Sequence, residues 1–471
     1  MPGGVASLGM TDEPGSVADL IRTAAEAVID YRAGLPHRPV AGPADRAALL
    51  AALGGPLPAG PTSPDRVIDD LVVAADPGLV ATAGPRFFGF VIGGSLPAAT
   101  AADILAVGWD QVAFNAISSP AASVVEEVAG GWCKQLLGIP ASASVGFGTG
   151  AQSANTVGLA TARHQVLAAA GWDVERDGLA GSPRVRVVAS VERHATVDRS
   201  LRLLGLGNAS VRPVAAGPQG AIDIDDLAKV LADEPTMPTI VVLQTGNVNT
   251  GACDDLRAAI GLARTVEHSW VHVDGAFGLW AAACPQTRAL TDGIELADSW
   301  CTDAHKWLNV PYDCGLVFCA DPSAHVAAAS YSAAYLTGAG TAGSPSDYVL
   351  ESSRRARGFA VWAALRELGE TGVADLVARC CALARRFADG LAAGGVEIVN
   401  DVVLNQVLAD FGSDERTDAV IDAVQREGTC WLGGTTWRGR RLMRISVSNH
   451  STTEDDIDRS VAAVLRLAAG L

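Results

Sequence analysis

Apolar residues follow two different spacings in the middle of this chain of 471 residues. Short runs rich in Val and Ile predict buried β-strands; they are VRVVAS (185–190), TIVVLQT (239–245), WVHVDGA (270–276), a short run at 299–301 and GLVFCA (315–320). Between these runs the apolar residues recur at helical spacing. Strands that alternate with helices predict an α/β fold with a largely parallel sheet, covered by helices on both faces.

Further segments with helical spacing flank this region. VADLIRTAAEAVIDYRAG predicts a helix that ends at Gly34, and SPAASVVEEVAGGWCKQLLG predicts one that begins at a Ser-Pro pair and ends at Gly138. After about residue 345 come a long helical stretch, two short apolar runs and a capped closing helix. We therefore predict a helical segment at 1–83, a large α/β domain at 84–345 and a small α/β domain at 346–471.

Composition narrows the classes of function. The net charge is −17, which argues against a nucleic-acid surface because phosphate binding requires clustered Lys and Arg. The N-terminus lacks a basic region followed by an apolar run, and no stretch of about 18 apolar residues occurs, so we expect neither a signal peptide nor a membrane span. The nine cysteines contain no CxxC pair, which fits reduced thiols in the cytoplasm.

Four polar features lie near the ends of the predicted strands. Asp274 closes the run WVHVD, Lys306 lies in TDAHKW, His194 follows the strand that ends at Ser190, and TGAQSAN is a Gly-rich turn that enters a helix at 149–155. Ligands of parallel sheets bind at the carboxyl ends of the strands, and amides at the start of a helix bind phosphate. The four features together predict one ligand site.

Each feature also has a plain structural alternative when it is taken alone. Asp274 equally fits a helix cap or a carboxylate bonded to local amides, Lys306 a loop lysine that reaches solvent, and His194 a core or surface histidine. The glycine pattern matches neither the dinucleotide fingerprint nor the Walker loop. What favours a shared site is that all four features follow or precede strands of the same predicted sheet.

Eight segments between about Gly84 and Asn449 resemble one known family. They are PRFFGFVIGGSLP, SSPAASVVEE, TGAQSAN, HATVDRS, GNVNTGACDD, HVDGAFG, TDAHKWLNVPYDCG and SRRARGFAVWAALRELG. In these the chain resembles the group II pyridoxal-phosphate-dependent amino acid decarboxylases, which have the aspartate-aminotransferase fold (fold type I). The resemblance implies a large domain with a mostly parallel seven-stranded sheet, a small C-terminal α/β domain, pyridoxal 5′-phosphate as cofactor and no metal.

The resemblance also implies roles for individual residues. Lys306 would form the internal aldimine with the cofactor aldehyde, Asp274 would pair with the protonated pyridine nitrogen, and His194 would stack on one ring face. The remaining implied cofactor contacts are Gly150, Ala151 and Gln152 at the phosphate, His305 beside it, Ala276 on the other ring face, Asn249 or Thr250 at the cofactor edge, and Asp303, where relatives often have Asn.

Substrate contacts are implied in the same way. Phe88 and Phe90, in FFGF, would contribute to the pocket for the amino acid side chain, together with groups from a partner subunit. Family decarboxylases carry a tyrosine on a mobile loop that protonates the quinonoid carbon, and Tyr348 is a candidate for it. The alternative for Tyr348 is a packing residue before a helix. The stretch from Tyr335 to Gly358 is shorter here than that loop in many relatives.

Arg444, in RLMRISVSN, is the residue implied for the substrate α-carboxylate, because a guanidinium donates two parallel hydrogen bonds to a carboxylate. A surface arginine in a small-domain strand is the alternative. A further argument against the role is that a decarboxylase gains nothing from stabilising the leaving carboxylate in the ground state. Arg354, Arg355 and Arg357 compete for it, but their position at a helix start favours structural anchors.

The leading prediction for function is decarboxylation of an L-amino acid, aromatic or acidic, to the amine and carbon dioxide. A second is another fate of the same adduct: transamination, aldehyde synthesis or carbon–carbon lysis. A third, from a different class, is a non-catalytic scaffold on this fold. The family also implies a homodimer, which the sequence supports through its aromatic and Gly-rich segment at 85–97, an apolar surface that a monomer would expose.

Overall fold

The computed structural model describes residues 16–331 and 344–471. The helices are α1 (Val17–Gly34), α2 (Arg46–Leu53), α3 (Pro64–Ala75), α4 (Pro97–Gly108), α5 (Pro120–Leu137), α6 (Ala151–Ala169), α7 (Val174–Asp177), α8 (Ala195–Leu203), α9 (Ile224–Ala232), α10 (Leu256–Ala263), α11 (Pro322–Ala329), α12 (Gly358–Ala393), α13 (Asp414–Glu427) and α14 (Glu454–Ala469). The strands are β1 (Ser144–Gly148), β2 (Arg186–Ser190), β3 (Val211–Val214), β4 (Thr239–Gln244), β5 (Ser269–Asp274), β6 (Ser299–Asp303), β7 (Gly315–Cys319), β8 (Glu397–Ile398), β9 (Gln406–Asp410), β10 (Gly433–Trp437) and β11 (Arg440–Ser446).

The main sheet has seven strands in the order β1-β7-β6-β5-β4-β2-β3. Strand β7 runs antiparallel to both of its neighbours, and the remaining pairs are parallel. The predicted α/β class and the mostly parallel sheet are confirmed. The apolar pattern did not reveal β1 and β3, which are the two edge strands. Their sequences are SVGFG and VRPV, and Gly or Pro in a short strand removes the apolar run that would mark it.

Side chains of the central strands alternate between two cores. In β4, Ile240 and Val242 pack with α6 and α8 on one face, while Val241 and Leu243 pack into the larger cluster on the other face. All four are almost completely buried. A parallel sheet covered on both faces requires continuous apolar runs of this kind, which explains why periodicity located the central strands.

A second core belongs to the antiparallel sheet β10-β11-β9-β8, which α13, α14 and the later part of α12 cover. The segment after Gly84 joins this core, because Phe88 N donates to Trp431 O at 2.7 Å and Ser446 N donates to Phe88 O at 2.9 Å. The Phe88 ring meets Phe387 edge to face, with centroids 5.3 Å apart. The aromatic segment is therefore covered largely by the chain itself.

Helix α12 was predicted as one continuous amphipathic helix, and the structure corrects this with a kink. Gly369 has φ 61° and ψ −176°, outside the helical region. Glycine adopts a positive φ without a steric penalty, so the chain bends there. Gly369 separates a first part that packs on α4 and α5 from a second part that reaches the small sheet and α14.

The N-terminal helices α1 to α3 contain no buried residue. Several of their apolar side chains are largely exposed, including Val17 (73%) and Ile29 (62%) in α1 and Val73 (74%) in α3. Arg32 ties α1 to the rest of the chain through Ser95, donating to its Oγ and its carbonyl at 2.7 Å each. Over 16–331 and 344–471, none of the helices combines the length and the apolar character that crossing a bilayer requires.

Candidate active site

A cavity of about 390 Å³ lies where the strand ends of the main sheet meet the start of α6. Strands β4, β5 and β6 are parallel and end there, so their last residues, Gln244, Asp274 and Asp303, meet at one edge of the sheet. The lining residues are Thr149, Gly150, Ala151, Gln152, His194, Thr196, Gln244, Gly246, Val248, Asp274, Ala276, Phe277, Asp303, His305, Lys306 and Tyr312. Most of the residues assigned to the cofactor from the sequence are therefore brought together by the fold.

Asp274 is the last residue of β5 and is 4% exposed. Its Oδ1 accepts from Ala276 N at 3.2 Å and from the Cys301 thiol at 3.6 Å, and its Oδ2 accepts from Asn155 Nδ2 at 3.2 Å. A buried carboxylate is costly unless donors surround it, and these three groups supply them. These hydrogen bonds therefore hold the Asp274 carboxyl group in place where it lines the cavity.

Lys306 forms an ion pair with Asp303. Its Nζ lies 2.9 Å from Asp303 Oδ2, and the Lys306 side chain is 20% exposed. The other oxygen of Asp303 accepts from Ala151 N, the first amide of α6, at 2.6 Å. A carboxylate at a helix start is favourable because it meets unpaired amides and the positive end of the helix dipole.

His194 caps the start of α8 with its ring open to the cavity. Its Nδ1 lies 3.3 Å from Thr196 N, which can only donate, so Nδ1 accepts and the proton of the neutral ring lies on Nε2. Desolvation by the surrounding protein is the main cause that lowers the pKa of His194, and Lys306 and Arg444 lower it further against the opposing effect of Asp274. A neutral imidazole suits stacking on a cationic ring.

Tyr312 lines the cavity, although we did not single it out from the sequence. Its ring stacks on His305 with centroids 4.3 Å apart, and desolvation raises the pKa of its hydroxyl. His305 accepts from Cys314 N at Nδ1, at 3.0 Å, which leaves Nε2 to donate toward Asp303. The only sequence signal for Tyr312 is its place six residues after Lys306, inside the segment TDAHKWLNVPYDCG.

Two of the implied cofactor contacts do not line this cavity. Asn249 Oδ1 accepts from Thr435 Oγ1 at 2.8 Å, and the hydroxyl of Thr250, 1% exposed, donates to Gln219 O at 2.6 Å. After β4 the chain turns at Gly246, whose φ is 87°. This turn presents Gly246 and Val248 to the cavity in place of the two predicted residues.

Tyr348 lies in a different cavity of the described chain, beside Ser144, Glu126 and Lys134. Its ring is tilted against His325 at 5.1 Å, in accordance with the packing alternative. Within one chain, Tyr348 therefore does not line the cavity that contains Lys306, contrary to its assignment as a catalytic candidate. Residues 335–343 of the loop stretch in which we sought the tyrosine lie outside the described residues.

The two phenylalanines assigned to the substrate pocket have different places. Phe88 is 1% exposed and belongs to the core of the small sheet, so it is not available to a substrate. Phe90 is 61% exposed, has φ 55° and lies 5.1 Å from Trp431, which in turn stacks on Phe87 at 4.8 Å. We call Phe87, Phe90 and Trp431 the aromatic cluster.

Arg444 lies beside the cavity, where its Nη1 donates to the carbonyl of Val248 at 3.3 Å. Desolvation lowers its pKa, so this guanidinium is a partly buried cation with donors to spare. The three competing arginines have other partners. Arg354 makes two 2.6 Å hydrogen bonds to Glu126, Arg355 pairs with Asp103 and Arg357 pairs with Asp313, as expected of structural anchors.

No group of three or more His, Cys, Asp or Glu side chains in the described part of the chain is arranged to hold a metal ion. The carboxylate, amine and imidazole side chains that line the cavity are Lys306, Asp274, Asp303, His194 and His305.

Comparison with known proteins identifies the family. Residues 50–409 match the model of the pyridoxal-dependent decarboxylase conserved domain. The chain is 28% identical to tryptophan decarboxylase 1 of Oryza sativa subsp. japonica, over 83% of this chain and 82% of that protein. It is 25% identical to 4-hydroxyphenylacetaldehyde synthase of Rhodiola rosea, over 92% and 90%. The crystal structure of Oryza sativa TDC with PLP and tryptamine shares the fold, with a TM-score of 0.89, 24% identity and coverage of 98% and 99%.

The resemblance seen in the sequence is thus confirmed by a match that spans most of the chain. The fold of the decarboxylases is confirmed as well, by the seven-stranded sheet and by the structural likeness over nearly the whole length. The chain belongs to the pyridoxal-dependent decarboxylase family and is a pyridoxal-phosphate-dependent carboxy-lyase that acts on an amino acid.

Proposed function

We propose that the cavity at the strand ends holds pyridoxal 5′-phosphate with Lys306 as its point of covalent attachment. The observation that carries this proposal is that Lys306, Asp274 and His194 line one cavity of about 390 Å³. When bound, the cofactor supplies an aldehyde that attaches to an amine and a cationic ring that accepts electrons from the breaking bond. To hold this cofactor the chain must provide a lysine, a carboxylate and backbone amides for the phosphate. Lys306, Asp274 and the start of α6 at the cavity are the candidates.

Asp274 and His194 would orient the ring. Asp274 is buried, so its charge acts through a medium of low effective dielectric constant and stabilises a proton on the pyridine nitrogen strongly. His194 and Ala276 both line the cavity, and a flat ring between them would meet an imidazole on one face and a methyl group on the other. A protonated ring withdraws electrons better than a neutral one, which favours loss of the carboxylate.

The start of α6 would bind the phosphate. Within the described residues, the backbone amides of Gln152 and Ser153 have no hydrogen-bond partner, and His305, whose Nε2 lies 3.5 Å from Asp303 Oδ1, lines the cavity beside them. Gly150 keeps the corner open, since a Cβ there would lie 3.1 Å from His305 and 3.3 Å from Asp303. The side chain of Gln152 turns to Ser200 Oγ at 2.9 Å, so only its backbone serves the phosphate.

An aromatic L-amino acid is the substrate class that we propose. Gly93 packs so closely against Lys306 that a Cβ on it would lie 1.9 Å from the lysine carbonyl, and the aromatic cluster includes residues of this same segment. An acidic substrate would need a second cation besides the one for its α-carboxylate. No arginine is among the residues that line the described cavity, and Arg444, which lies beside it, is the group that we propose for the α-carboxylate.

Aldehyde formation is the second candidate for the reaction, because one of the two relatives is named an aldehyde synthase. Both outcomes release the carboxyl group, so carbon dioxide does not separate them. The amine and the aldehyde do. Incubation of the purified protein with a panel of L-amino acids, followed by quantification of amine and aldehyde, assigns the substrate and the reaction together.

We also propose a homodimer, on grounds that differ from those given by the sequence. The segment at 85–97 is mostly buried by its own chain, so it no longer argues for a partner. The exposed apolar side chains of α1 and α3 support a partner subunit instead, because an uncovered apolar surface is unfavourable in water. Light scattering of the full chain is the test, and a stable active monomer would refute the proposal.

The cytoplasm is the compartment that we propose, with support from the thiols. Each of the nine cysteines is free, and eight of them are buried. Burial raises the pKa of Cys133, Cys253 and Cys430 to about 12, which keeps them protonated and unreactive.

We also propose the division of the chain into three parts, at 1–83, 84–345 and 346–471. Limited proteolysis tests the two boundaries.

The attachment is tested with Lys306→Ala. The wild type with cofactor should show a visible absorbance that borohydride removes, with the reduced cofactor on the peptide that carries Lys306. The variant should lose this absorbance and nearly all turnover. Lys134→Ala is a matched control, since Lys134 donates to the carbonyls of Ala141 and Ala143 away from the cavity. Cofactor still attached to the same peptide region in Lys306→Ala would overturn the assignment.

A further inference from the structure

A line of buried polar side chains runs through the protein interior to Asp274. Trp270, His272 and Asp274 alternate along β5 and therefore share one face of the sheet. Ser299 on the neighbouring strand β6 and Asn155 on α6 fill the spaces between them. His272, Ser299 and Asn155 are completely buried, so each polar atom in the line must be satisfied by another protein group.

The donor and acceptor groups of these side chains determine which residue donates and which accepts in each hydrogen bond. Trp270 Nε1 is a donor only and gives its proton to Ser299 Oγ at 2.8 Å. At the other end Asp274 only accepts, so Asn155 presents Nδ2 to it, at 3.2 Å. Asn155 Oδ1 then accepts from His272 Nε2 at 2.8 Å, which leaves His272 Nδ1 to accept the Ser299 hydroxyl proton at 2.8 Å.

His272 is suited to a neutral, fixed tautomer. Burial is the cause that lowers its pKa to about 4, so the imidazole carries no charge at neutral pH. Its single proton is on Nε2 and is given to Asn155 Oδ1. The amide of Asn155 is thereby prevented from turning over, because the reversed amide would place N–H against N–H.

The same amide reaches a second residue of the cavity. Asn155 Nδ2 also lies 3.3 Å from Thr196 Oγ1, whose hydroxyl proton is free to go to His194 Nδ1 at 2.8 Å. One –NH₂ group thus donates to the carboxylate of Asp274 with one hydrogen and supports His194 through Thr196 with the other. Asn155 itself does not line the cavity.

We propose that Asn155 is a positioning residue that sets Asp274 and His194 relative to one another, and so fixes the carboxylate at the nitrogen of the cofactor ring while the imidazole lies over its face. This rests on the proposed function. Nothing in the sequence pattern singled out Asn155, which is one polar residue in TGAQSAN. The contrasting role is purely structural: Asn155 satisfies His272 in the interior and has no effect on the ring.

An analogue of pyridoxal phosphate with carbon in place of the ring nitrogen separates the two roles. It offers the same aldehyde, phosphate and ring faces but has no nitrogen for Asp274. With Asn155→Leu we expect the dissociation constant of pyridoxal phosphate to rise about tenfold, by analogy with the loss of a residue that orients a metal ligand. The dissociation constant of the analogue should rise much less.

Asn405→Leu is the matched control. Asn405 is also completely buried, and its amide donates to Val447 O and Ser448 Oγ at 3.0 Å each, in the small sheet. It should lower the melting temperature and leave the ratio of the two dissociation constants at the wild-type value. Equal weakening of both ligands in Asn155→Leu would overturn the proposal.

Asn155→Asp provides a second measurement in case the leucine variant does not fold. It keeps the size and the acceptor for His272 but replaces both donors by a second carboxylate beside Asp274. The same selective loss for pyridoxal phosphate is expected, and an unchanged ratio contradicts the proposal. A wild type that attaches no cofactor refutes the proposed function instead. Attachment in the wild type with unselective variants refutes only the role of Asn155.

Discussion

Lys306 and Asp303 form an ion pair in which one buried carboxylate makes two contacts. One oxygen lies 2.9 Å from Lys306 Nζ, and the other accepts the first amide of α6 at 2.6 Å. The Asp303 side chain is 3% exposed, so neither contact is replaced by water. This pair explains how a lysine is tolerated at the end of a buried strand. It also places an anion in the corner where the cofactor phosphate is proposed to bind.

Asp303→Asn should therefore strengthen phosphate binding. The variant keeps the shape and removes the negative charge from the helix start, which we expect to tighten pyridoxal phosphate binding about two- to fivefold at low salt. Equilibrium titration at two ionic strengths is the measurement. Pyridoxal without its phosphate should gain less, because the change at Lys306 acts on both ligands and the change at the helix start acts on the phosphate alone. Asp321→Asn, which alters the cap of α11 away from the cavity, serves as the control variant. A matching gain for pyridoxal would contradict this explanation.

Asp274→Asn should strongly reduce turnover. The amide cannot stabilise a proton on the pyridine nitrogen, so the ring withdraws electrons poorly and turnover should fall by about 100-fold or more, with weaker cofactor binding. Steady-state kinetics at saturating cofactor measure it. Asp254→Asn is the control, because Asp254 is an equally buried carboxylate that accepts from Ile222 N and Gln244 N and does not itself line the cavity. Near-normal turnover of Asp274→Asn would show that the carboxylate has another role.

Arg444→Lys should separate substrate binding from cofactor binding. Lysine keeps the charge and loses the planar fork, so we expect KM for the amino acid to rise about tenfold. The absorbance of the bound cofactor should not change. Arg441→Lys on the same strand is the control, since Arg441 pairs with Asp418 at the surface. If KM stays at the wild-type value, the α-carboxylate is bound elsewhere.

Stability should fall as the solution is acidified from pH 7 toward pH 4. Burial lowers the pKa of His272, His325 and His450 to about 4 from an ordinary value of 6.5. Between pH 6.5 and about pH 4 these histidines therefore bind protons in the unfolded chain but not in the folded chain. The free energy of unfolding falls as the pH is lowered through this range. Asp254, whose pKa burial raises to about 6, works in the opposite direction and offsets one of the three.

Thermal unfolding at a series of pH values tests this balance. His325→Gln should reduce the slope of melting temperature against pH, because one of the three histidines that bind a proton only in the unfolded chain is removed. Its hydrogen bonds to Ser144 Oγ and Tyr348 O make some loss of stability at pH 7 expected as well. A slope that equals that of the wild type would mean that His325 does not titrate with unfolding.

The sequence by itself determined the central sheet and the chemical identity of the site. Strands β4 and β7 are nearly continuous apolar runs, and β5 is mostly apolar, because a strand buried on both faces has no solvent-facing side. Asp274 is the last residue of β5 and Lys306 comes three residues after the end of β6, so their position near the strand ends is a local property. The arginines at 354–357 were likewise recognised as anchors from their place before a helix.

Only the tertiary structure decided which of the neighbouring residues reach the cavity. Phe88 belongs to the core of the small sheet, Asn249 and Thr250 turn to Thr435 and Gln219, and Tyr312 stacks over His305. Each of these placements depends on a contact with a residue distant in sequence or on a single turn, and apolar periodicity carries no information on either.

The same limit applies to the contacts of single atoms. Asn155 meets Asp274 across 119 positions of the chain, and Asp303 meets Ala151 across 152. A hydrogen bond of this kind requires two elements to be placed within a few tenths of an ångström, which is decided by the packing of α6 on the sheet. Residue types and their local order establish which chemistry is available, and the packing of distant segments decides which groups perform it.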